Sequence, residues 1–140
     1  MSSRDYGVDD YGLILDSRDL KLIASKYFAD YTEEEYENDP LSFIDELVYG
    51  LDITYASDFT GEAFAIDDNG YTQWVSDSIS FNCDVIYYVP ANKYASLFKA
   101  SYRDFSEIVK ELKVKVGKYL PEDFDYRTKF RHLSGTYWSS

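Results

Sequence analysis

The sequence predicts an α+β domain: an antiparallel β-sheet meander of three to five strands, with N-terminal and C-terminal helices packed on it. Three observations predict it. Apolar residues recur at three- and four-residue spacing before residue 50 and again after residue 90. Between residues 51 and 89 they alternate at a spacing of two. Gly50 and Pro90, residue types that end elements, stand at the two changes of period. A length of 140 residues fits one domain over residues 1–140, with no internal repeat or linker.

The first ten residues, Asp-rich around Gly7, read as a flexible start. Gly12-Leu13-Ile14-Leu15 reads as a short buried strand. Ser17 is placed to cap a helix running to Asp30 or Tyr31, with Leu20, Ile23, Ala24, Tyr27 and Phe28 on its apolar side. Thr32-Glu33-Glu34-Glu35 fits a capping box. Asp39 and Pro40 open a further helix as cap and first residue, with Leu41, Ile44, Leu47 and Val48 as its buried stripe.

Strands are then expected at Leu51–Tyr55, Glu62–Ile66 and Tyr71–Val75, with a fourth at Ile79–Phe81 and a fifth at Val85–Val89. Asp67-Asp68-Asn69-Gly70 is the hairpin turn between the second and third. Helices follow over Asn92 to Tyr102 and from Asp104 to Pro121, the latter with Phe105, Ile108, Val109, Leu112 and Val116 on one face. The tail offers a short helix or turn and an edge strand around Gly135–Trp138.

The charge is unevenly placed. Residues 1–80 hold 19 Asp/Glu and 4 Lys/Arg, a net of −15, whereas residues 81–140 have a net of +3. The basic tail is expected to fold back and neutralise part of the acidic portion. A total of −12 disfavours bare nucleic acid as a partner, because binding phosphates needs Lys and Arg. One Cys and one His exclude a disulfide framework and a Cys/His zinc site. No apolar run approaches the ~20 residues of a membrane span, and the polar start is no signal peptide, so a cytoplasmic location is expected.

Motifs for catalysis are sparse. Cys83 and His132 match no nucleophile signature, and no Gly-x-Ser-x-Gly elbow is present. Asp67 to Gly70 cannot be a calcium loop of the EF-hand kind, because Ala65 and Ser76 would occupy its first and last positions. The sequence therefore predicts no catalytic residue, no metal and no cofactor.

What stands out is carboxylates interleaved with some of the 15 tyrosines. Asp30, Tyr31, Glu33, Glu34, Glu35, Tyr36, Glu37 and Asp39 form the densest group, with Asp58, Glu62, Asp67 and Asp68 following. On one helix, Asp30, Glu33, Glu34 and Glu37 would share a face, with like charges that a cationic partner would relieve. Carboxylates so spaced imitate backbone phosphates, and tyrosines add contact area.

In this combination, over Tyr27–Asp39 and Asp58–Asp77, the chain resembles the small acidic DNA-mimic inhibitors of phages and mobile elements, the anti-CRISPR and anti-restriction proteins. The likeness is one of composition. It implies a non-enzymatic phage protein acting in the host bacterial cytoplasm. Such a protein would block DNA or PAM recognition by a CRISPR effector nuclease through those twelve residues. An immunity protein or antitoxin against a basic nuclease toxin uses the same electrostatics, and a small enzyme with a carboxylate site is the third reading. Exposed aromatics would also serve a homodimer.

Overall fold

The computed structural model describes residues 4–74, 78–91 and 105–139. In chain order the elements are β1 (Arg4–Leu15), α1 (Ser17–Tyr27), α2 (Glu33–Asn38), α3 (Pro40–Gly50), β2 (Thr54–Phe64), β3 (Ile79–Pro90), α4 (Phe105–Val116), a 3-10 turn (Gly117–Tyr119), α5 (Tyr126–Lys129) and β4 (Phe130–Ser139). The α+β class is as expected. The sheet, however, is a closed barrel of four antiparallel strands in the order β1-β3-β2-β4, with β4 pairing back onto β1.

The barrel replaces the simple meander for identifiable reasons. Thr54-Tyr55 and Glu62–Phe64 belong to one strand, as do Ile79–Phe81 and Val85–Val89. Leu51 and Asp52, expected to open a strand, instead cap α3 and turn the chain, Asp52 at φ 57°. The apparent break at Ser57-Asp58 is absorbed by Asp58, which takes φ 46° and lets the ladder with β3 continue on both sides. Tyr71–Val75 forms only a single bridge, Thr72 to Ile66, among the described residues. The C-terminal strand is no edge, since β4 bonds to both β1 and β2. Arg4–Asp10, expected to be flexible, pair with Ser139–Leu133 of β4. The helix expected at Asn92–Tyr102 lies outside the described residues.

Closure brings β2 and β4 close at Gly61 and Gly135, which are cross-strand partners. A Cβ on Gly61 would lie 2.4 Å from the Ser134 carbonyl oxygen, and one on Gly135 would lie 2.4 Å from that of Thr60. Only glycine fits either position. The Phe59 ring covers both.

Strand alternation then sorts the apolar residues into two cores. Val8, Ala56, Phe59, Ala63, Ile86, Tyr88 and Leu133 fill the barrel interior. Leu13, Leu15, Val89 and Phe130 face outward, against Leu20 and Ile23 of α1, Ile44 and Leu47 of α3, and Ile108, Leu112 and Val116 of α4. Each such side chain contributes about 1.5–3 kcal/mol when fully buried.

Helix starts follow local chemistry. Asp16, one residue ahead of the expected Ser17, caps α1 in a reciprocal box with Asp19, the two amide bonds measuring 2.9 and 3.1 Å. The helix ends at Tyr27 rather than near Asp30, because Phe28 is already extended. Asp39 and Pro40 open α3 as expected.

Candidate interaction surface

The acidic segment does not form one helix. Asp30 lies exposed in the turn before α2, so the shared face of Asp30, Glu33, Glu34 and Glu37 is not realised. Thr32 Oγ1 accepts from the Glu35 amide at 3.2 Å, making one half of the expected box. Lys21 of α1 reaches both Glu33 (2.6 Å) and Glu37 (3.1 Å). Its hydrogen bond holds the Glu33 carboxyl below the ordinary range, and the two glutamates push the Lys21 ammonium up. The Asp39 carboxylate is engaged as the α3 cap, 3.4 Å from the Ser42 amide.

The tyrosines of this segment face inward. Tyr36 is only 6% exposed and packs against Phe43 at 5.4 Å and Tyr31 at 5.8 Å between ring centroids. It is a core residue, contrary to expectation, because the short α2 needs one apolar face to dock on α3. Tyr31 is half-buried against Phe43. Glu34 and Glu35 remain exposed, without a cation beside them among the described residues.

On α3, Leu41 departs from the expected buried stripe. It is 65% exposed, and Tyr49 is 93% exposed, while Ile44 and Leu47 are buried. Leu41, Asp45 and Tyr49 follow one another at four-residue steps, and Glu46 is also exposed. That outward row is visible in the sequence once Ile44, Leu47 and Val48 are taken as the inward one. α2 and α3 pack together, so Glu34, Glu35, Leu41, Asp45, Glu46 and Tyr49 belong to one helical layer.

The remaining expected carboxylates lie on β2 and the following turn. Asp58 is exposed and Glu62 half-buried. Asp67 organises the predicted turn, accepting from the Asn69 and Tyr71 amides at 2.9 Å each and from Gln73 Nε2 at 3.2 Å. Asp68 is paired with Arg127, whose guanidinium lies 4.4 Å over the Phe105 ring. Asp67 and Asp68 therefore have structural partners of their own.

The fold-back of the basic tail has a consistent destination. Lys129 pairs with Asp16 and Asp19, Lys115 with Asp52 at 3.4 Å, and Arg127 with Asp68. None of these reaches residues 30–50, where eight carboxylates stand and only Lys21 answers them among the described residues.

Cys83 and His132 do not form a pair. The Cys83 thiol donates to the Val85 carbonyl at 3.5 Å, and burial pushes its pKa up. His132 is wholly buried, with Nε2 2.5 Å from Asp9 Oδ1 and Nδ1 3.0 Å from Thr72 Oγ1, which in turn lies 2.7 Å from the Tyr11 hydroxyl. Tyr11 stacks on the imidazole at 4.4 Å, and Trp74 meets it edge-on at 5.1 Å. This Asp-His-Thr chain was invisible in the sequence, because its members come from β1, β4 and the loop after β2. Enclosed by rings, it ties those three segments together.

Two hollows matter. A cleft of about 540 Å³ between α1, α2, α3 and β3 is mainly apolar, with Tyr36 and Tyr87 in its lining and Arg18 and Lys21 as its cations. A smaller, more polar one of about 290 Å³ is lined by all four strands, including Asp9, Asp10, Tyr55, Tyr88 and Tyr137. Adjacent strand residues point to opposite faces, so the Asp9 carboxylate meets His132 outside while Asp10 meets Tyr88 within. The two carboxylates diverge and do not make an acid/base pair.

No protein-family model matches the chain, and comparison with curated proteins and with solved structures returns no match. Among the described residues no helix is long and apolar enough to cross a membrane.

Proposed function

We propose that this chain is a non-enzymatic inhibitor whose acidic α2–α3 layer occupies the basic nucleic-acid-binding site of a nuclease. Its action would be that of a phage anti-CRISPR protein denying a CRISPR effector its DNA or PAM. The observation that carries this reading is the outward face of α3, where Leu41 and Tyr49 stand exposed beside Asp45 and Glu46. A merely solvated acidic face needs no apolar anchors. A surface that docks does, since buried aromatic and aliphatic groups supply most interface energy. Carboxylates of α2 add the charge that steers a cationic partner.

The test is capture from host lysate at low and high salt, with duplex DNA as competitor. The expected partner is a nuclease, released by salt and by DNA. Glu34→Lys with Glu35→Lys should weaken capture well over about tenfold. Capture that survives both salt and charge reversal removes the proposal. If the captured nuclease is a toxin rather than a CRISPR effector, the protein is an immunity protein using the same surface.

A further inference from the structure

We infer that the 290 Å³ hollow in the barrel is a receptor for one cationic side chain, an arginine or lysine. It rests on the reading above for the partner that supplies the side chain, and on the barrel alone for the site.

Asp10 is set on the interior face of β1. Its carboxylate accepts from the Tyr11 amide at 2.9 Å and from the Tyr88 hydroxyl at 3.3 Å. Among the described residues no Lys or Arg forms an ion pair with it, and the titratable groups that influence it are Asp9, His132 and Tyr88. Burial pushes its carboxyl up, against the two hydrogen bonds that favour the ionised form. A half-buried carboxylate without a cation beside it is less favourable than a paired one, and an entering cation relieves it.

The walls suit such a guest. Tyr88 and Tyr137 line the hollow, whereas the ring of the neighbouring Tyr55 pairs with Tyr87 on the outer side of the sheet. Aromatic faces attract ammonium and guanidinium groups. The site is also preformed. The Tyr88 ring lies against Gly12, where an added Cβ would come within 2.7 Å of it. Tyr137 is stacked on Tyr6 at 5.4 Å. The Asp10 carboxylate within the barrel excludes an anionic guest.

The experiment is an NMR titration of the full chain with N-acetyl-arginine methylamide and with its citrulline counterpart, which has the same shape without the charge. The arginine probe is expected to give saturable shifts at Asp10, Tyr88 and Tyr137, and the citrulline probe none. Asp10→Asn should weaken the arginine probe at least about tenfold. Tyr137→Leu, which removes a ring lining the hollow, should weaken it about threefold, and Tyr55→Ala, whose ring lies outside, should leave it unchanged. Equal binding of the two probes, or wild-type affinity in Asp10→Asn, overturns the inference. If the titration fails while charge reversal on α2 still abolishes capture, the pocket falls and the inhibitor reading stands. A working pocket in a protein that captures no basic partner has the opposite meaning.

Discussion

Nε2 of His132 lies 2.5 Å from Oδ1 of Asp9, joining a ring with no solvent exposure to a carboxylate side chain that is 51% exposed. A neutral ring in this position donates to Asp9 through Nε2 and accepts from the Thr72 hydroxyl at Nδ1. Replacing the ring leaves a cavity under Tyr11 and Trp74 and deprives Thr72 of a partner. His132→Ala is expected to cost about 2–4 kcal/mol. Asp9→Ala, whose carboxylate is half in water, should cost about 1 kcal/mol. Urea denaturation measures both, and equal losses would refute the view that packing carries most of the effect.

The facing glycines of β2 and β4 set the second expectation. A methyl group at Gly61 meets the Ser134 carbonyl at 2.4 Å and the Gly135 Cα at 2.6 Å, both backbone atoms that cannot swing away. Gly61→Ala should therefore destabilise by about 1–3 kcal/mol or more. A lowered thermal midpoint with unchanged m-value is the expected signature. An unaffected midpoint would mean that the two strands separate more readily than the barrel implies.

Two aspartates give opposite pH dependences. The Asp10 carboxyl is raised by burial, so its folded pKa exceeds the unfolded one, and its penalty is full at neutral pH and vanishes at low pH. Asp10→Asn should then stabilise the protein near neutrality, the gain closing as pH falls through the raised pKa. For Asp16, burial works to raise the carboxyl, but the Asp19 amide and Lys129 together bring it below the ordinary range. Its contribution is present above the unfolded pKa and is lost as pH falls through the lowered one. Asp16→Asn should be destabilising near neutrality and indistinguishable from wild type in acid. Urea midpoints across the acid range check the two signs together.

These features also mark how far the sequence was readable. Local chemistry was legible. The Asp39-Pro40 helix start, the Asp67–Gly70 turn and the inward face of α4 follow from neighbours a few residues apart. Long-range closure was not. Ser57-Asp58 and Gly61 look like turn residues, and only the approach of β4 shows that Gly61 serves close contact within a strand. Asp9, Asp10 and Gly7 look loop-like until the ladder with β4 is seen. On the acidic segment, Glu34 and Glu35 are exposed, whereas Tyr36, expected outside, is buried and Leu41, expected inside, is exposed. Which side of a short helix turns inward depends on what it docks against.

The exposed row of α3 should be dispensable for folding. Tyr49→Ala and Leu41→Ala remove groups that lie mainly in water, and changes within about 0.5 kcal/mol are expected. Each should nonetheless weaken capture of a basic partner. Full capture by the double variant would show that charge alone makes the contact.

Lys21→Met should release Glu33 and Glu37 from their shared cation. The variant is expected to elute from an anion-exchange column at higher salt than wild type, with its fold intact by circular dichroism. Earlier elution would contradict the assignment of Lys21 as the neutralising group of α2.

The pairing of Lys115, Arg127 and Lys129 with Asp52, Asp68, Asp16 and Asp19 has a consequence for how the protein meets other molecules. Those cations cancel acids elsewhere and leave the eight carboxylates of residues 30–50 with Lys21 alone among the described residues, an uneven distribution that carries an electric dipole. In the field of a cationic surface such a body experiences a torque as well as an attraction. Over the last ~8 Å of approach, within which charges at physiological ionic strength are poorly screened, it turns α2 and α3 forward. Orientation is thus selected before contact, and fewer encounters are wasted on the wrong face.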